Sequence, residues 1–308
     1  MKKTICFVLT LVFIVALFGS CGNRDESGVL EVKMDSRTKY PKWMKHTNEI
    51  PYSEKRFVDE KLVGDTQTVR FMGQEYEIEY VESEAFGTRD YSLRYYSVKG
   101  SGDGDEKQRQ IVLSEDGTVV GVDHPSGLPI EYTAEDFADP ERMREIVETA
   151  FGDEIDFAGY DQCTVTPHSM IVDPWIDSPI FGGGSQYIRF YSFFWYHSAG
   201  ESRLSDSTKV VLSIDEGVTS IWMLNRLHVD FSAFSQTVKI EDCTALIEAK
   251  LDRIYNRDGR MTDYQIWDSI VCVLDGTFYL DCKISVKHKG TDDQTDSDWC
   301  ELLIPLQN

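Results

Sequence analysis

Catalysis needs residue types that can exchange protons, attack carbonyls or hold ions, and in this chain those types are dispersed. His46, His124, His168, His197, His228 and His288 include no pair at i, i+4. A zinc site built from them requires ligands converging from distant elements. The chain carries no Gly-x-Ser-x-Gly elbow, no His-Glu-x-x-His and no Gly-x-x-x-x-Gly-Lys-Ser/Thr loop. Gly182, Gly183 and Gly184 form a glycine cluster that lacks the following Lys and leads into an apolar strand. It reads as a flexible connection and not as a phosphate cradle. Two acidic runs, 103–106 and 292–298, offer closely spaced oxygens of the kind calcium takes. Lys107 breaks the loop frame of the first, and Ser297 stands where the second needs glycine. Both read as solvated hairpin tips. No catalytic residue, metal or cofactor is assigned.

Five cysteines follow residue 21: Cys163, Cys243, Cys272, Cys282 and Cys300. An odd count leaves at least one unpaired or paired elsewhere. Cys282 and Cys300 fall on the inward faces of neighbouring strands, yet buried free thiols are the favoured state, since Cys packs well as a small apolar group. The strand from Phe190 to Tyr196 stands out because aromatic rings occupy both its faces. Such a strand must be covered on both sides, by its own core or by a partner. Its own core is the plainer cover. The candidate ligand or partner surface is Tyr191, Phe193 and Trp195, extended by Trp175 and Phe181 from the preceding loop.

The elements that position these residues begin with a leader. Lys2 and Lys3 precede an apolar run from Ile5 to Phe18. Fourteen helical residues rise about 21 Å, short of a hydrocarbon core of about 30 Å. The run is therefore a secretory signal and not a permanent span. It ends in Leu17-Phe18-Gly19-Ser20-Cys21. This segment resembles a bacterial lipoprotein signal, in which small residues stand directly before an invariant Cys. Phe18 occupies the place where that family usually has Leu. The resemblance implies that Cys21 is acylated on its thiol and becomes the mature N-terminus. The protein would then be extracytoplasmic and tied to the bilayer through two or more acyl chains.

The whole chain carries 31 basic and 53 acidic side chains, a formal net charge of −22. Losing Lys2 and Lys3 with the leader takes the mature chain to −24. That balance excludes nucleic acid as a partner, because phosphate binding requires clustered cations. It also leaves the acyl group as the only attraction to an anionic membrane. With 41% hydrophobic and 12% aromatic residues the chain can bury a core, which excludes wholesale disorder.

Beyond a polar tether the chain alternates helical stretches with groups of strands. An apolar strand, 111–113, runs into Asp116-Gly117 and resumes at Val119, and 210–218 repeats the pattern. Helices are expected near 53–62, 135–151 and 241–256, and strands over 76–80, 277–287 and 299–306. Asp275-Gly276 suits a type I′ hairpin. The expected class is α+β, with about three repeated modules of one helix followed by an antiparallel meander of roughly three strands. The boundaries are 1–20 for the signal, 21–50 for the tether, then modules over 51–130, 131–235 and 236–308. This alternation of a helix with strands ending in Ser114-Glu115-Asp116-Gly117 resembles PepSY-like modules of secreted bacterial proteins. The resemblance implies a non-catalytic domain that binds or restrains a partner such as a peptidase. The expected function is thus a membrane-anchored extracytoplasmic binding or regulatory protein, partnered by an envelope protein or peptide, and not an enzyme. The alternative is a cell-envelope hydrolase whose carboxylates act as acid and base on sugar or peptide.

Overall fold

A computed structural model describes residues 27–32, 49–50, 54–86, 88–100, 109–125, 128, 130–170, 187–214, 216–255, 261–289 and 295–306. The early strands are β1 (Leu30–Val32), β2 (Glu49–Ile50), β3 (Glu54–Phe57), β4 (Thr66–Phe71) and β5 (Gln74–Phe86). They are followed by β6 (Ser92–Val98), β7 (Gln110–Ser114) and β8 (Val119–Asp123). Two helices, α1 (Ala134–Phe137) and α2 (Pro140–Phe151), precede β9 (Gln162–Met170) and β10 (Tyr187–Tyr196). Next come β11 (Ser198–Ala199), β12 (Ser202–Leu204), β13 (Thr208–Ser213) and β14 (Gly217–Met223). Helix α3 (Ile240–Tyr255) leads to β15 (Met261–Leu274), β16 (Thr277–Lys289) and β17 (Thr295–Pro305).

This is a mostly β protein, and the expected α+β class with three helix-plus-meander modules is overturned. The described residues contain three α-helices and form two compact units. One unit comprises 54–240 with 270–278, and the other comprises 1–53, 241–269 and 279–307. The larger unit holds one ten-stranded sheet in the order β3-β5-β6-β7-β8-β14-β13-β10-β9, with β4 paired to β5. The two hairpins that sequence assigns to separate modules meet within it. Val122 pairs with Ile221 and Gly121 with Trp222. Their inner strands are apolar, and an open edge on either would leave a row of unpaired N–H and C=O groups. Joining the edges satisfies both.

The helix expected over 53–62 is also absent. Residues 54–57 pair antiparallel with 83–86, and Arg56 forms ion pairs with Glu82 and Glu84. The helix expected over 135–151 is split. Pro140 has no N–H to continue α1, so it opens α2, and Asp139 caps that helix by accepting from the Glu141 and Arg142 amides at 3.0 and 3.2 Å. Thr133 and Asp136 close a capping box on α1.

The first face of the larger sheet packs beneath α2. Met143, Val147 and Phe151 meet Tyr96, Ile111, Val122, Leu212 and Ile221, with Tyr191, Phe193 and Trp195 in the same core. The second face carries a smaller apolar cluster of Leu93, Tyr95, Val112 and Val120, with Phe86, Tyr91, Trp222 and Leu227 against it.

Outside the ten-stranded sheet, β16 pairs with β17, Ile284 opposite Cys300, and β17 pairs with β1. The inward face expected along β16 is buried at Phe278, Leu280, Cys282, Ile284 and Val286, but Asp281, expected on the wet face, is buried as well. Asp275 and Gly276 both have positive φ, 50° and 69°, which is the I′ geometry. Helix α3 buries Cys243, Ile247, Leu251 and Ile254 as its spacing predicts, and also Lys250, whose Nζ reaches the Val29 carbonyl at 3.4 Å. Residues 295–298 of the second acidic run lie in β17 and not on a tip.

Candidate functional site

The second face of the ten-stranded sheet is organised by register. One row of residues crosses it from strand to strand. Glu82 faces Tyr95, Tyr95 faces Val112, and Val112 faces Gly121. Gly121 faces Trp222, Trp222 faces Lys209, and Lys209 faces Phe194. Side chains on one row share a face, so the sheet itself aligns them. At the middle of the row, Val112 and Gly121 are small and buried. A Cβ on Gly121 would stand 3.0 Å from Trp222 Cε3 and 3.2 Å from Val112 Cβ. Glycine is therefore what lets the indole lie down over β8.

A cleft of about 380 Å³ opens on this face, with Tyr95, Trp222, Lys209 and Phe194 of the row in its lining. Its aromatic lining is Phe86, Tyr91, Tyr95, Phe194 and Trp222, and its charged lining is Arg56, Glu84 and Lys209. The volume falls in the range of small-molecule sites, which combine an apolar lining with a few placed polar groups. A smaller cleft of about 210 Å³ shares Tyr91 and is lined by Arg89, His228 and Asp230 among others.

The charges at one end of the large cleft are spent on one another. Glu84 is 4% exposed. The Arg56 Nε–H donates to its Oε1 at 3.3 Å, and the Tyr95 hydroxyl donates to its Oε2. A second nitrogen of Arg56 donates to Glu82 at 2.9 Å, and the guanidinium carbon sits 4.7 Å from the centroid of the Tyr95 ring. Burial first, and then the Glu84 hydrogen bond, push the Tyr95 phenol well above its ordinary value. Asp123, beside Trp222 at the end of β8, is also raised by burial, with His124 opposing. At the other end, Lys209 lies between Trp222 and Phe194, and among the described residues its ammonium makes no ion pair or hydrogen bond.

Sugar hydrolysis by acid and base needs two carboxyls flanking the bond. Among the described lining residues Glu84 is the single carboxylate, and it is already held by a guanidinium and a phenol. Among the described residues no three His, Cys, Asp or Glu side chains form a group that could hold a metal ion.

The residues expected from sequence to form a surface are elsewhere. Tyr191, Phe193 and Trp195 are 1%, 0% and 2% exposed, on the opposite face of the sheet, and the Trp195 indole donates to Glu148 at 3.0 Å. They are core and offer nothing to a ligand. Their strand neighbour Phe194, on the other face, is the residue that lines the cleft. Cys21, Trp175 and Phe181 lie outside the described residues. Cys163, Cys243, Cys272, Cys282 and Cys300 are free thiols. Sequence reading missed Arg56, Glu84, Tyr95, Lys209 and Trp222. The available signal was Gly121, an interruption in the apolar run Val119-Val120-Gly121-Val122.

No protein-family model, curated protein or solved structure matches the chain. Its function is argued from its own residues.

Proposed function

We propose that the protein is an extracytoplasmic, lipid-anchored binding protein whose ligand enters the aromatic cleft on the second face of the ten-stranded sheet. The anchor rests on Lys2, Lys3, the Ile5–Phe18 run and Gly19-Ser20-Cys21. The binding role rests above all on one observation: the buried carboxylate of the cleft is fully engaged by Arg56 and Tyr95. A general acid or base must be free to give or take a proton near neutral pH. Glu84, held by a charge-assisted bond and a phenol, instead works as a brace that fixes the Tyr95 ring as one wall. The helix-plus-meander pattern behind the PepSY-like resemblance is not the architecture, and no peptidase-restraining role is carried forward.

Thermal-shift measurement on the mature chain against small molecules extracted from the cell envelope tests this reading. A compound that raises the melting temperature of the wild type, but not of Trp222→Ala, supports it. Turnover of an envelope sugar or peptide that disappears in Glu84→Gln, with the fold intact, overturns the non-catalytic reading.

A further inference from the structure

We infer that the ligand of this cleft joins an anionic group to a flat apolar body, with the anion seated at Lys209. The inference rests on the cleft being the binding site, and it adds the chemical class. The chain as a whole is strongly acidic, with 53 acids against 31 bases. Arg56, Lys209 and Glu84 are the charged residues that line the cleft, and Arg56 is also paired with Glu82 behind it. Arg56 and Glu84 neutralise each other. Lys209 is left over, half-buried, with an aromatic ring on each neighbouring strand of its row.

A partly desolvated cation without a counter-charge is costly, and an incoming anion recovers that cost. Asp123 is near enough to feel Lys209 electrostatically but does not form an ion pair with it. The rest of the ligand is dictated by the rings that line the cleft, Phe86, Tyr91, Tyr95, Phe194 and Trp222. A flat apolar body stacks among those rings, its acidic end at Lys209, which faces Trp222 on one neighbouring strand and Phe194 on the other.

Binding of 2-naphthoate and its neutral isostere 2-naphthamide to the mature chain is measured by saturation-transfer NMR titration, in wild type, Lys209→Met and Trp222→Ala. The wild type is expected to prefer naphthoate by about tenfold, the ratio a charge-assisted hydrogen bond on a half-buried ammonium supplies. Lys209→Met should abolish that preference with a melting temperature no lower than that of the wild type, because the ammonium has no internal partner to lose. Trp222→Ala should weaken both probes alike. Equal affinity for the two probes in the wild type, or a preference that survives Lys209→Met, overturns the anion assignment while leaving the cleft as a binding site. Failure of both probes to bind overturns the flat-body assignment, and the envelope-extract measurement then stands as the separate judge of the cleft.

Discussion

Glu84 shows how one buried charge is made tolerable. An isolated ionised carboxylate removed from water costs far more than one interaction returns, so each oxygen needs a donor. Arg56 serves one and Tyr95 the other. Tyr95→Phe keeps the ring and removes one donor from a carboxylate that stays buried. It should cost about 1–3 kcal/mol in urea unfolding; a loss below about 0.5 kcal/mol would show that Glu84 does not depend on the phenol. Asp123 makes the opposite case, since burial lifts its folded value above the ordinary carboxylate range. The native state therefore holds this proton more tightly than the unfolded chain does. Its contribution is fully present below the unfolded value and is lost as pH rises through the raised folded one. Asp123→Asn removes that loss. The variant's stability relative to wild type should be greater at pH 7 than at pH 4 by chemical denaturation, and an equal difference at both would reject the assignment.

At the scale of the element, a sheet converts register into a surface, and Gly121 is where that conversion is most exposed to test. A methyl group there stands 3.0 Å from the indole of Trp222 and 3.2 Å from Val112, so the ring must shift. Gly121→Ala should cost about 1–3 kcal/mol as overpacking. In a Trp222→Ala background the same substitution should cost at least about 1 kcal/mol less, read as the coupling term of a double-mutant cycle. No coupling would mean that the indole does not rest on the glycine. The same rows explain what was legible beforehand. The period-two alternation of β16, the Asp275-Gly276 turn and the apolar stripe of α3 are local patterns, and local patterns can be read from one chain. The meeting of β8 with β14 is not local, as it joins residues about a hundred positions apart through backbone groups that every sequence has. Missing it turned one broad sheet into separate modules, and so hid the face on which the cleft lies. Tyr191, Phe193 and Trp195 drew attention because aromatic mass is visible in sequence. Which face of the strand meets α2 is not, and that decided in favour of Phe194.

At the scale of the whole molecule, the proposed retention at the membrane reduces to one thiol. Without Lys2 and Lys3 the chain would carry a net charge of −24 and offer an anionic lipid surface repulsion instead of attraction. Among the described residues no helix is long and apolar enough to cross a bilayer. The Ile5–Phe18 run spans only about 21 Å as a helix and is a poor substitute for a permanent anchor. Two acyl chains on Cys21 would supply what the surface cannot, since one chain binds only marginally and a second makes residence stable. Cys21→Ala removes the proposed acyl acceptor and changes none of the described residues, so the folded units should keep the wild-type urea midpoint. Fractionation after labelling with a fatty-acid analogue should find the wild type labelled and membrane-bound. The variant should be unlabelled, and either uncleaved at the leader or released as a soluble exported protein by another peptidase. An unlabelled wild type, or one already soluble, removes the anchor from the proposal and leaves a secreted binding protein whose cleft, built wholly from residues 56–224, is untouched by the result.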